Sequence, residues 1–312
     1  MAAMIDIFLR VLPFFALIGL GYAAGRTRFF PEEATAWLTK FVFYFALSAM
    51  LFRFAANLPL SEVFSGRLIA GYLWGTAFVY GIATAVAFLR KLDISTAAIE
   101  AQCAVIGNAG FLGLPMFALL FGEASVGPVM LVLATDLIVF SSLIVILING
   151  ARDGRMSLQI LRTIALGLLR NPMIVSISLG LIWSALSLPI PAPLNDFLSI
   201  LGGAATPGAL FAIGASLAGK SAERVEIAAW LSFCKLVLHP TFVALGVLFL
   251  FPLDAFSAAV VISAAALPVA GNVFILAQHY GIAPHRVSAA ILLSTIASVL
   301  TVPMVIAWVA PI

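Results

Sequence analysis

The sequence predicts an all-α polytopic membrane protein: ten transmembrane helices arranged as two inverted five-helix repeats. Three observations predict it, namely a strongly apolar composition, ten apolar stretches of spanning length, and an internal repeat at a constant offset. Hydrophobic residues make up 63% of the 312 and charged residues only 9%, with a mean hydropathy of +1.18. A soluble domain carries roughly 25% charged residues to keep its surface in water. Here the surface must face lipid instead.

A hydrocarbon core about 30 Å thick takes about 20 apolar residues per helix. Reading apolar stretches against charged or Pro/Gly breaks places the spans at 4–24, 34–56, 66–89, 97–121, 126–148, 163–187, 197–218, 227–250, 255–279 and 286–310. No polar stretch is long enough for a soluble domain. The first span could be mistaken for a signal peptide, with small residues at Ala23, Ala24 and Gly25, but it lacks a basic leader and has full spanning length. Cys103 and Cys234 fall inside spans and read as inert core thiols.

The clearest hydrophilic break is the middle stretch, Asn149 to Arg162. It divides the chain into a first repeat over 1–148, a cytoplasmic linker over 149–162 and a second repeat over 163–312. At an offset of 159 (172 − 13), Pro13 matches Pro172, Gly21 matches Gly180, Ala46 matches Ala205 and Gly122 matches Gly281. Five spans per half is an odd number, so the halves have opposite topology, the plan of many secondary transporters.

Orientation follows from Lys and Arg in the loops. Arg26, Arg28, Arg90, Lys91, Arg152, Arg155, Arg162, Lys220, Arg224 and Arg286 collect on one face, which is assigned to the cytoplasm. The other face has Arg67, with Arg53 and Arg10 near enough to snorkel there. Both termini then lie outside, on the periplasmic side of a bacterial inner membrane. The pI near 9.1 comes from single charges in short loops, with no basic run, so nucleic acid is not a partner.

Spans 4 and 9 hold equivalent places in the repeats, and both are interrupted. Gly107, Asn108, Gly110, Gly113 and Pro115 break the first; Pro268, Gly271 and Asn272 break the second. Proline removes a backbone donor and clashes with the preceding turn. At the offset of 159, Asn108–Ala109 lies opposite Leu267–Pro268. Unwound backbone at that depth is tolerated only inside protein or along a wet cavity. Half-helix N-termini pointing at one spot favour an anion. The alternative is that such Gly and Pro only kink the helices. Asn108 and Asn272, each beside a break, can donate and accept without the cost of a buried charge.

These residues resemble the auxin efflux carrier family, which includes plant PIN proteins and bacterial malonate or malate carriers. The resemblance rests on Ile18 to Arg26, Gly107-Asn-Ala-Gly-Phe-Leu-Gly-Leu-Pro115, Asn171–Pro172, Lys235-Leu-Val-Leu-His-Pro240 and Leu267-Pro-Val-Ala-Gly-Asn272. It implies a bile-acid-transporter-like fold in which broken helices 4 and 9 cross. It also implies a scaffold of helices 1, 2, 6 and 7, and a transport domain of helices 3–5 and 8–10. The family often has proline where this chain has Ser48, whereas the second half keeps Pro207, so a kink in helix 2 is open.

Ionisable residues deep in a membrane are functional candidates by default. Asp136 and Lys235 each sit near the middle of a span, and His239 lies one turn beyond Lys235. They read as an anion attractor (Lys235), a proton acceptor or its counter-ion (Asp136) and a relay or buried polar group (His239). A static Asp136–Lys235 pair is the competing reading. His279 and His285 read as interfacial, and the scattered His and Cys form no metal constellation.

The expected function is secondary transport of a small organic carboxylate such as malonate, malate or an auxin-like acid. Alternating access would operate at the helix 4/9 crossing, with Asn108, Gly110, Pro115, Pro268 and Asn272 meeting the substrate. Partners are that anion and the lipid bilayer, with a coupled proton and a homodimer left open; no cofactor is implied. A sodium-coupled carrier would need several oxygen ligands near the crossing; helix 4 offers only Asn108 and Gln102, plus Glu100 near its start, which disfavours sodium. An intramembrane hydrolase would need a nucleophile beside a base, and no such pattern is present. A receptor or assembly protein would carry no flux.

Overall fold

The computed structural model describes residues 2–58, 65–153, 158–219 and 225–309. Among them the fold is helical, and its one β-type contact is a single bridged residue pair. The helices in chain order are α1 (Ala2–Arg26), α2 (Glu32–Phe41), α3 (Leu47–Asn57), α4 (Gly66–Leu89), α5 (Ile94–Val105), α6 (Leu114–Phe121), α7 (Val126–Thr135), α8 (Ser141–Asp153), α9 (Leu158–Arg170), α10 (Pro172–Ala185), α11 (Ala192–Gly203), α12 (Ala205–Leu217), α13 (Val225–Phe233), α14 (His239–Leu245), α15 (Ala255–Ala265), α16 (Gly271–Tyr280) and α17 (Pro284–Val309).

Several of these join end to end. Among the described residues, seven continuous stretches are long and apolar enough to cross a membrane: Ile5–Arg26, Glu32–Asn57, Gly66–Leu89, Glu123–Ala151, Ala192–Leu217, Val225–Leu250 and Pro284–Val309. An eighth is formed if α9 and α10, bent by 71° at Asn171, count as one. The bend falls inside the span expected over 163–187. Pro172 cannot donate to the preceding turn, and the Asn171 side chain caps α10 by accepting from Met173 N–H at 3.0 Å. Helix also enters both ends of the stretch expected as a linker, since α8 runs to Asp153 and α9 starts at Leu158. Arg155, Ser157, Lys220 and Arg224 lie outside the described residues.

Helix 2 is distorted without a proline. Val42–Ala46 forms one wide π-type turn between α2 and α3, and the Ser48 hydroxyl donates back to Phe43 C=O at 3.3 Å. In the second half Pro207 sits in the first turn of α12, just past the break at Ala204. Position 46 plus 159 is 205, so the two distortions coincide in the repeat register while using different chemistry.

α1 packs along α12 and α10 along α3. Glycine allows the close approach: Gly21 lies against the Phe211 carbonyl, Gly214 against the Ile18 carbonyl and Gly180 against the Phe52 carbonyl. Small residues at helix contacts are what lipid-embedded bundles use, because the membrane supplies no hydrophobic drive between helices. Large apolar side chains such as Leu20, Phe45, Ile200, Leu300 and Trp308 are left exposed on the outside. Arg53 donates to Asn195 at 3.1 Å, tying α3 to α11 rather than only reaching toward water.

Candidate substrate site at the helix crossing

α5 ends at Val105, and the chain resumes a helical path at Ala109 after three non-helical residues. α15 ends at Ala265 and α16 begins at Gly271. The two gaps meet. Gly107 and Val269 form an antiparallel bridge in which Asn108 N–H donates to Pro268 C=O at 2.9 Å and Ala270 N–H donates to Ile106 C=O at 3.0 Å. Each interruption thus satisfies backbone groups that the other leaves orphaned. In this antiparallel pairing Asn108 stands opposite Pro268, so the two interruptions meet at the positions that the offset of 159 lays over one another, Asn108–Ala109 and Leu267–Pro268. Gly122 and Gly281, both with positive φ and both ending a half-helix, keep the offset of 159.

The candidate residues take distinct places around this knot. Asn108 is 6% exposed; its carbonyl accepts from Leu112 and Gly113 N–H, starting the wide turn Ala109–Gly113. Its side-chain amide has no hydrogen bond among the described residues. The Asn272 Oδ1, in the first turn of α16, is buried and equally unpartnered there. Gly110 is buried in the same wide turn, and Pro268 supplies its carbonyl to the bridge. Pro115 stands apart, six residues into the helical path that resumes at Ala109, at the second residue of α6.

Behind the crossing lies a polar network. Lys235, with no exposed surface, donates to Ala265 C=O, the last carbonyl of α15, and sits 3.0 Å from His239 Nδ1. A positive group at a helix C-terminus is electrostatically well placed. A Cβ on Gly107 would come within 3.1 Å of the Lys235 ammonium. His239 Nδ1 also lies 3.1 Å from Ala265 C=O, and its Nε2 is 3.0 Å from the Thr76 hydroxyl, which donates to Tyr72 C=O at 2.7 Å. Tyr72 in turn donates its phenol proton to Asp136 at 2.8 Å, and Asp136 is 4% exposed. Asp136 and Lys235 make no direct ion pair, so the static pair weighed above is not present. Both lie in wide π-type turns, Asp136–Phe140 and Cys234–Leu238, a distortion that recurs at functional sites.

A membrane transport protein family matches residues 6–306. The chain belongs to that family, the auxin efflux carriers. A protein of Rhizobium meliloti (strain 1021) named "Putative malonate transporter" is 33% identical over 299 residues, covering 94% of this chain and 92% of that one. A protein of Escherichia coli (strain K12) named "Uncharacterized transporter YfdV" is 26% identical over 305 residues, covering 94% and 95%. This carrier is therefore a multi-pass membrane transporter.

Sequence reasoning missed two residues of the carrier's polar network, Tyr72 and Thr76. A signal existed, since the pair is spaced i, i+4 on one face of α4, and 76 plus 159 is 235, which makes Thr76 the repeat partner of Lys235. Glu100, weighed above only as an oxygen that a sodium-coupled carrier would need, has other partners. That carboxylate is 1% exposed and binds Arg90 at 2.7 Å and Arg286 at 2.6 Å, so its charge is already spent on tying α4, α5 and α17 together. His279 and His285 are exposed, as expected of interfacial residues.

Proposed function

We propose that this transporter carries a small organic carboxylate across the bacterial inner membrane by alternating access at the crossing of the two interrupted helices. The observation that carries the reading is the bridge at Gly107 and Val269, flanked by the buried Asn108 side chain and the buried Asn272 Oδ1, which have no hydrogen-bond partner among the described residues. Two half-helix N-termini start there, at Ala109 and Gly271, and favour a carboxylate. Lys235 adds positive charge from behind. Malonate is the first candidate, because the Rhizobium relative's name refers to it.

Counting the interrupted stretches 94–121 and 255–280 as spans adds two to the seven continuous and one bent, giving ten. In this reading the halves are inverted repeats and both termini are periplasmic. α1–α3 and α9–α12 form the scaffold, and the other helices form the moving body. Asp136, hydrogen-bonded through Tyr72 toward Thr76 and His239, is the proton-coupling group. Single cysteines at Pro191 and Glu123 should then label only from outside, and one at Lys91 only from the cytoplasm.

The deciding experiment is malonate binding to purified protein and uptake into proteoliposomes, with Asn108→Ala and Asn272→Ala. Each substitution is expected to lower uptake at least tenfold, about 1.4 kcal/mol or more, with thermal stability near wild type. Uptake unchanged in both variants would move the site elsewhere.

A further inference from the structure

Resting on the crossing as the substrate site, we infer that Met173 is the carrier's gate residue: its side chain seats in the notch left by Gly110, covers the asparagine amides, and sets the size of acid admitted. The geometry comes from opposite sides of the fold. Met173 is 5% exposed and follows the 71° bend at Asn171–Pro172, where the Asn171 cap fixes its backbone. Gly110 lies in the wide turn after the crossing, two residues from Asn108. A Cβ on Gly110 would stand 2.8 Å from the Met173 terminal methyl, with the Leu133 methyls 3.7 and 3.8 Å away. That is closer than real Cβ contacts, and because the atom met is the free end of a flexible side chain, an alanine here would push the thioether out of the notch.

Beside this contact Phe43 faces Phe111, their ring centroids 6.5 Å apart. The layer over the crossing is thus apolar on the side of α10 and the turn before α3. A carboxylate approaching the Asn108 amide from that side meets Met173 first. An unbranched thioether with three rotatable bonds suits such a position, because it can leave one packed arrangement and take up another without backbone movement. Leu133, branched and in mid-helix, has less freedom.

The test is a pairwise series with two readouts. One is the preference for 2-substituted malonates over malonate in proteoliposomes. The other, independent of any substrate, is the thiol-labelling rate of Ala109→Cys in a background with Cys103 and Cys234 replaced by alanine. Met173→Ala should raise the relative kcat/KM for the bulkier acid about tenfold, the discrimination expected of a few methylenes in a tight site, and should speed labelling at position 109 several-fold. Gly110→Ala alone should slow uptake, and Gly110→Ala/Met173→Ala should restore it. Met173→Leu, which nearly conserves volume, should stay close to wild type, and Met173→Val replaces the alanine variant if that fails to fold. Unchanged labelling in the small variants, together with no rescue of Gly110→Ala, overturns the gate. Failure of the crossing itself reads differently: Asn108→Ala would bind malonate as wild type does, whatever the labelling shows.

Discussion

Residues 2–58 with 158–219, and residues 65–153 with 225–309, form two regions that solve the problem of burial differently. Of the buried polar and charged residues, only Thr35 belongs to the first region. Thr76, Glu100, Gln102, Asn108, Asp136, Lys235, His239 and a series of serines and threonines on α17 all belong to the second. The first region is held by shape, with glycines laying helix backbones against each other. The second has glycine contacts too, Gly75 against Val243 and Gly246 against the Gly71 carbonyl. It adds hydrogen bonds that must be satisfied out of water. Polar groups inside a membrane are expensive, and here they gather in the region proposed above as the moving body.

The largest expected effect tests the first region. Gly214→Leu would drive a side chain into the Ile18 carbonyl, a backbone atom that cannot swing aside. Overpacking costs typically about 1–3 kcal/mol even where side chains can adjust, and here they cannot. Loss of monodisperse protein in detergent is expected, whereas Gly203→Leu, which meets open space, should purify normally. Similar yields for both would mean that the glycine contacts do not hold this region.

Next comes Glu100, where the second region concentrates charge. Glu100→Gln leaves Arg90 and Arg286 facing one another without their anion. Removing one member of a buried ionic group costs about 3–5 kcal/mol, and replacing the whole group can be near neutral. Arg90 keeps 31% of its side chain exposed, which places the expected loss toward the lower end. Thermal unfolding of Glu100→Gln against the triple replacement Arg90→Met/Glu100→Met/Arg286→Met checks this. A triple variant no more stable than the single one would show that the cluster contributes net stability.

The Asp136 and Lys235 charges provide the third comparison. Because each has its own partners, Tyr72 for one and Ala265 with His239 for the other, their substitutions should nearly add. The coupling between Asp136→Asn and Lys235→Met is expected below about 1 kcal/mol in a double-mutant cycle. Asp136→Asn should keep exchange of substrate and lose accumulation driven by a pH gradient. Full gradient-driven uptake in the double variant would instead mean that the charges only neutralise each other.

How much of this was legible in the sequence depended on whether a residue type carries its own signal. Apolar stretches of spanning length and the Gly/Pro/Asn clusters at 107–115 and 268–272 do, and they located the helices and the two gaps. The wide turn in helix 2 does not. A π-type turn shifts hydrogen bonds by one residue and needs no proline, so only the back-bonding hydroxyl of Ser48 hinted at it. The Asn171–Pro172 pair was visible, but a proline in an apolar stretch is compatible with a mild kink or with the observed 71° corner. Asp136 and Lys235 were conspicuous as charges. Their partners were not, because Tyr72 and Thr76 are ordinary in an apolar helix until packing turns them inward.

The smallest expected effect separates the two regions by acid. The interrupted helices α5 and α15 both start on an aspartate cap, Asp93 accepting from Thr96 N–H at 3.0 Å and Asp254 from Ser257 N–H at 2.9 Å. These bonds hold both carboxyls below the usual carboxylate range, for Asp93 with the Thr96 hydroxyl as the leading donor. A group whose pKa is lower folded than unfolded contributes stability that is complete above the unfolded value, near 3.9, and is lost as pH falls through the folded one. In the first region, α10 and α11 start on Asn171 and Pro191, which do not titrate. Below about pH 4, amide exchange at the first turns of α5 and α15 should therefore quicken, while the first turns of α10 and α11 hold. Asp93→Asn keeps a good cap and removes only the charge at the helix N-terminus, about 0.3–1 kcal/mol at neutral pH. It should also flatten the acid response of α5 alone. Equal acid sensitivity at all four helix starts would place the response in general charge repulsion rather than in these two caps.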